Sequence, residues 1–172
     1  MISVLTLTYK RHHLLEEAIM SFLSQDLKED FEMVVINDNS EVDYVYDNTE
    51  NVIIINHKER FPSISAKIEW GYKQCKHDFI YRLDDDDLLA PWAMRNVKQD
   101  IEENPGYDVY RSKGMHFFQN NIYMGESGSI NNGNVYTKHY LDRITFPGTS
   151  MGEDAEITYG RNAKMYESKL NH

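Results

Sequence analysis

Phe79-Ile80-Tyr81-Arg82-Leu83-Asp84-Asp85-Asp86-Asp87 is an apolar run that ends in four consecutive acids. Phe79 to Leu83 is rich in aromatic and β-favouring residues, so the pattern predicts a short buried strand with the acids at its C-terminal mouth. In open α/β sheets that mouth is where ligands bind. Four adjacent carboxylates repel one another, and holding them at a buried strand end is costly unless positive charge occupies the space between them. A hard divalent cation, Mg2+ or Mn2+, suits an all-oxygen donor set, and the chain has only one cysteine, Cys75. The bland alternative is a solvated acidic turn, but turns favour Gly, Asn or Pro and do not need every position acidic. A calcium loop of the helix-loop-helix kind fails, because its third ligand position falls on Leu88 and its glycine on Leu89.

Outward from this stretch, apolar strands alternate with helical stripes. Ile2 to Thr8 is a first buried strand, and Leu14, Leu15, Ala18, Ile19, Phe22 and Leu23 recur at helical spacing after it. Phe31 to Ile36 ends in Asn37-Asp38-Asn39-Ser40, and Val52 to Ile55 ends in Asn56-His57. Ile64, Ile68, Tyr72 and Cys75 mark the helix that leads into the strand of the four acids. Such alternation implies a parallel sheet with right-handed crossovers, which brings Thr8-Tyr9, Asp38 and the acids to one edge. Further on, Pro91 suits the first turn of a helix closed by Asn104-Pro105-Gly106. Asp108 to Phe118 is strand-like. Gly125 to Ser129 and Asn131 to Asn134 are expected to be polar connectors, and Val135-Tyr136 a strand running into a helix at Lys138 to Ile144.

Composition narrows the function classes. At 172 residues the chain is long enough for one domain with a sizeable core. Eighteen basic against 28 acidic residues give a net charge of −10, which argues against a large nucleic-acid interface or an anionic-membrane patch. One cysteine excludes an intrachain disulfide. There is no leader and no long apolar run, so the expectation is a cytoplasmic protein without membrane insertion.

The order and content of these pieces resemble the family-2 glycosyltransferases, inverting enzymes of the GT-A fold that move a sugar from a nucleoside diphosphate donor. Ser3 to Arg11 is similar to the family's opening strand and its Thr-Tyr-Asn turn, with Lys10 in place of Asn and Leu7 where Pro is common. Leu14 to Gln25 resembles the helix that follows. Val34-Val35-Ile36-Asn37-Asp38-Asn39-Ser40 resembles Val-Val-Asp-Asp-Gly-Ser, with Asn37 replacing the first acid and Asp38 kept at the second, base-contacting one. Leu83-Asp84-Asp85-Asp86-Asp87 is similar to Leu-Asp-Ala-Asp-Asp, which carries the Asp-X-Asp metal motif. Gly152-Glu153-Asp154-Ala155-Glu156 resembles the later Glu-Asp motif that carries the catalytic base. The family's Arg-Asn on the helix before the metal strand aligns with Ile68 and Glu69, one residue beyond Lys67. Short strings recur by chance, but five in the right order, running from residue 2 to about residue 160, are specific.

The resemblance implies a single α/β domain over residues 1–172, GT-A and Rossmann-like, with a mostly parallel central sheet flanked by helices. Its nucleotide-sugar half would span about 1–90 and its acceptor-side half about 91–172. The implied reaction is metal-dependent, inverting transfer of one sugar, of the hexosyltransferase type, from a nucleoside-diphosphate sugar to an acceptor hydroxyl. A UDP-sugar is the expected donor, and the acceptor stays open. Asp154 is the expected catalytic base, against a plain helix-cap role. Thr8, Tyr9, Arg11, Asp38, Lys67, Asp84 and Glu153 are expected to bind substrate, with Lys58 and Arg60 as further candidates for the diphosphate. Asp84, Asp86, Asp87 and the late His172 are the expected ligands of Mn2+ or Mg2+. No Gln-X-X-Arg-Trp motif of processive synthases is present, hence one sugar per acceptor. The competing readings are a metal-dependent nucleotidyl or phosphoryl transferase, which Asp-X-Asp also serves, and a non-catalytic sugar-nucleotide-binding module.

Overall fold

The computed structural model describes residues 1–27, 29–47, 51–119, 122–128, 133–160 and 162–172. The first half runs β1 (Ile2–Thr8), α1 (His12–Leu23), β2 (Phe31–Asn37), β3 (Val52–Asn56), α2 (Ile64–Tyr72) and β4 (Phe79–Asp84). The second half runs α3 (Ala93–Glu103), β5 (Val109–Arg111), β6 (Gly114–Gln119), β7 (Ile122–Gly128), β8 (Val135–Thr137), α4 (Lys138–Leu141), α5 (Glu153–Thr158) and β9 (Met165–Glu167). Seven strands form one sheet in the order β3-β2-β1-β4-β8-β5-β9. The first four are mutually parallel, β8 pairs antiparallel with both β4 and β5, and β9 returns parallel to β5.

Every residue of β1 and of β2 is buried, as the near-continuous apolar reading requires of central parallel strands covered on both faces. The pleat then divides the core. Ile2, Val4, Met33 and Val35 face α1 and α3, packing on Leu15, Ile19, Met94 and Val97. Leu5, Leu7, Val34 and Ile36 face the other way, onto Ile68 and Tyr72 of α2 and Ile157 of α5. Gly71 lets α2 lie close on that second face, since a Cβ there would stand 3.0 Å from Leu5 Cδ1 and 3.2 Å from Ile36 Cγ1. The helix starts at Ser63, whose Oγ accepts from Ala66 N–H at 3.0 Å. Together these contacts hold Lys67, one turn before Gly71, over the end of β1.

Three expectations for the second half change. Asp108 to Phe118 is not one strand: β5 belongs to the main sheet, and β6 leaves it to pair with β7 in a separate two-stranded hairpin. The glycine-rich stretch from Gly125 is mostly strand, because β7 extends to Gly128. Gly125 stands opposite Phe117 beside the register shift at Phe117/Phe118, with a φ of 130° that only glycine adopts without strain, so its glycine serves a bulge. Ser129 and Asn131-Asn132 lie outside the described residues. The helix expected to reach Ile144 stops at Leu141. Among the described residues no helix is long and apolar enough to cross a membrane.

Candidate functional site

Strand register assembles the site. Thr8 on β1 is the partner of Asn37 on β2, and Leu7 is the partner of Asp84 on β4, so three polar strand ends meet side by side at the C-terminal edge of the sheet. Above them lies a cleft of about 520 Å³ whose walls include Thr8, Tyr9, Arg11, Asp38, Lys67 and Asp84. All six were singled out in the sequence.

Asp38 is buried at the end of β2 and surrounded by donors. Its Oδ1 accepts from Lys67 Nζ at 2.6 Å and from Arg60 Nη1 at 2.8 Å, and its Oδ2 from Phe61 N–H at 3.1 Å. Lys67 Nζ also donates to the Thr8 carbonyl at 2.6 Å, which ties α2 to the end of β1. Burial pushes the Lys67 ammonium down to about 8 despite the Asp38 carboxylate, which pulls it up. The cation on α2 that reaches the cleft is therefore Lys67, whereas Ile68, the residue aligned with the family's Arg, packs into the core. Arg60 lies over the Tyr9 ring, its guanidinium carbon 3.5 Å from the centroid.

The acid run is divided by the direction each carboxylate takes. Asp85 turns inward and is fully buried, paired with Arg11, whose Nε donates to Asp85 Oδ2 at 3.2 Å and whose Nη2 meets Oδ1. Desolvation raises the Asp85 carboxyl, while the Thr8 hydroxyl and the Arg11 charge pull it back. Arg11 Nη1 continues to Asp86 Oδ2 at 2.8 Å. Asp84 Oδ1 accepts from Arg82 Nη2 at 2.7 Å, and Arg82 Nη1 donates to the Leu83 carbonyl at 3.1 Å. Part of the positive charge that the acid run requires thus comes from two guanidinium groups of the chain itself. Oxygens of Asp84, Asp86 and Asp87 nevertheless lie within 4.8 Å of one another, an all-oxygen set that fits a hard divalent cation.

The same acids wall a second cleft, of about 450 Å³, on the other side: Asp86 and Asp87 line it together with Leu88, Trp92, Phe117 and His172. His172 is therefore near the acids, but the structure does not bring its ring into their oxygen cluster. Its Nε2 lies 2.7 Å from Asp100 Oδ2 on α3, and its backbone N–H donates to Ser112 Oγ at 3.0 Å. These bonds make it an anchor of the chain's last residues beside the hairpin. Glu153 and Asp154 open α5 after Gly152, whose φ is 75°. Their side chains lie outside the described residues.

Three participants were not singled out from the sequence. Arg82 had a visible signal, a charged residue inside an apolar strand and two positions before Asp84, hence on the same face. Asp85 and Asp100 had none, because nothing in the sequence tells which acid of a run turns inward or which helical Asp meets a distant histidine.

Comparison with solved structures defines the class. S. aureus TarS 1-349 in complex with UDP-GlcNAc superposes with a TM-score of 0.75 at 18% identity, over 99% of this chain and 59% of that one. The mannosyltransferase PcManGT from Pyrobaculum calidifontis, in complex with GDP-Man and Mn2+, gives 0.70 at 15% identity, over 97% of this chain and 54% of that one. The architecture is the GT-A fold of these glycosyltransferases. Residues 3–155 match the sequence model of Glycosyl transferase family 2, and the chain belongs to that family. It is also 33% identical over 118 residues to the GalNAc(5)-diNAcBac-PP-undecaprenol beta-1,3-glucosyltransferase of Campylobacter jejuni, which covers 62% of this chain. The chain spans 35% of the length of that relative.

Proposed function

We propose that the chain forms the donor-binding and transfer site of a metal-dependent, inverting glycosyltransferase that moves one hexose from a nucleoside-diphosphate sugar to an acceptor hydroxyl. The observation that carries this reading is the convergence of Tyr9, Asp38, Lys67 and Asp84 on one cleft at the C-terminal sheet edge, with Asp86 and Asp87 beside it. UDP is the preferred nucleotide on the strength of the UDP-GlcNAc complex of the TarS neighbour.

In this reading residues 1 to about 90 hold the donor. Tyr9 and Asp38 orient the nucleoside, with Lys67 and Arg60 fixing the Asp38 carboxylate. Arg11 and Arg82 place positive charge at the diphosphate end of the cleft. Asp84, Asp86 and Asp87 would hold Mn2+ or Mg2+, which supplies charge neutralisation for a leaving diphosphate. The acceptor enters from the side of residues 91–172, through the second cleft with its Trp92 and Phe117 rings. Asp154 removes the proton of the acceptor hydroxyl, the oxygen attacks the anomeric carbon, and the bond to the diphosphate oxygen breaks in the same displacement, which inverts the centre.

A thermal-shift series with UDP, GDP and CDP and their sugars, with and without Mn2+, tests the donor half, run on the wild type and on Asp86→Asn. One diphosphate should stabilise the wild type more in the presence of Mn2+, and the Mn2+ increment should vanish in Asp86→Asn. Stabilisation that is indifferent to Mn2+ in both proteins refutes the metal-dependent reading. Mass spectrometry of acceptor mixtures separates sugar transfer from nucleotidyl transfer by the mass added.

A further inference from the structure

Arg11 stands at the start of α1, yet its side chain makes no capping bond to that helix. Its guanidinium is committed to the acid run, and the two halves of that commitment differ. Nε and Nη2 grip Asp85, which is fully buried, so withdrawing the guanidinium would strand a charge out of water. Nη1 grips Asp86, where both side chains are 46% exposed, and an exposed pair of this kind is weak. The Asp85 side is a tether and the Asp86 side is exchangeable.

Asp86 is also one of the three acids whose oxygens cluster for a cation, and Arg11 lines the donor cleft. We propose that Arg11 couples cation binding to donor binding. Without ligand, Nη1 neutralises Asp86 and competes with a divalent cation for it. Once the cation takes Asp86, Nη1 is released but remains tethered through Asp85 beside the cleft, where an anionic diphosphate satisfies it. Cation and nucleotide each relieve a cost that the other would face alone, so each raises the affinity of the other by the same factor.

This inference rests on the metal-dependent reading of the site, and Mn2+ binding without nucleotide separates the two. The full chain is titrated with Mn2+ alone, by electron paramagnetic resonance of the free ion, and again in saturating UDP. The wild type is compared with Arg11→Gln/Asp85→Asn, which removes the buried pair together, and with Arg11→Lys as the second variant if the first misfolds, since lysine keeps a charge for Asp85 but has no fork to hold Asp86 as well. Expected is weak Mn2+ binding by the wild type, strengthened by UDP. The variant should bind Mn2+ alone at least ~5-fold more tightly and lose a similar factor of the UDP effect, within the usual span of coupling energies. Equal Mn2+ affinities with an undiminished UDP effect overturn the role of Arg11 and leave the metal site standing. Absence of Mn2+ binding in every protein overturns the metal site and this proposal with it.

Discussion

Lys67 Nζ lies 2.6 Å from Asp38 Oδ1, and both side chains are buried. A buried pair of this kind adds little net stability against an apolar pair, but removing one member strands the other. Asp38→Asn leaves the Lys67 ammonium with the Thr8 carbonyl and a neutral amide, and should cost about 3–5 kcal/mol. Lys67→Met should cost less, because Arg60 and the Phe61 N–H still serve Asp38. The double variant should be more stable than the sum of the two losses forecasts, by at least roughly 0.5 kcal/mol, the lower edge of contact coupling. Urea denaturation of the four proteins measures it; strict additivity would show that the pair is not a unit.

The depressed Lys67 ammonium also makes a pH prediction. In the folded protein it titrates at about 8, against 10.5 for an unperturbed lysine. Between these values the unfolded chain carries a proton that the folded chain has lost, so the contribution of Lys67 to stability rises with pH through that window and is flat below it. The difference in unfolding free energy between wild type and Lys67→Met should shift in favour of the wild type from pH 8 to about 10.5. Its upper limit is roughly 3 kcal/mol, from the conversion of a pKa difference to free energy. A difference that stays constant over that range would mean that Lys67 titrates normally.

The parallel half of the fold was legible in the sequence for a physical reason. β1, β2 and β4 are covered on both faces, and such strands must read as apolar runs that stop where the polar edge begins. Tyr9, Asp38 and Asp84 follow from those stops. What stayed hidden depends on direction or on distance. Lys67 and Ile68 differ by one position, and only the packing of α2 through Gly71 decides which of them faces the cleft. Among the described residues of the β6-β7 hairpin Phe118, Ile122, Tyr123 and Met124 are all exposed, so they set up no alternating apolar period, and the glycines read as a loop. The Asp100 bond to His172 joins residues 72 positions apart, beyond any local pattern.

Gly71→Ala tests whether the closeness of α2 to the sheet matters. A methyl group would press on Leu5 and Ile36 at 3.0 and 3.2 Å inside the core, and overpacking of this kind costs about 1–3 kcal/mol. Alanine's better helix propensity returns about 1 kcal/mol. The net expectation is a loss of about 1 kcal/mol, read as a fall in Tm of roughly 2–4 °C for a domain of this size. An unchanged or raised Tm would show that the neighbouring side chains give way without cost.

Asp154→Asn separates binding from chemistry. Asp154 follows Gly152 and Glu153 at the opening of α5, on the far side of the acid run in sequence and in the stretch that resembles a Glu-Asp motif. If it is the base, the donor is held by other residues, and exchanging carboxylate for amide leaves nucleotide-sugar affinity close to that of the wild type. Transfer should then fall by at least the ~10²-fold usually supplied by general-base catalysis. A purely structural place in the first turn of α5, whose N-cap is Gly152, makes the opposite forecast, because the amide would then lose only a helix-dipole contribution of about 0.3–1 kcal/mol and turnover would not move. The two measurements belong on the same folded sample: affinity by calorimetry with the donor that the thermal-shift series identifies, and turnover by mass spectrometry of the glycosylated acceptor. Turnover near the wild-type level would remove Asp154 from the mechanism and direct the same experiment to Glu153→Gln.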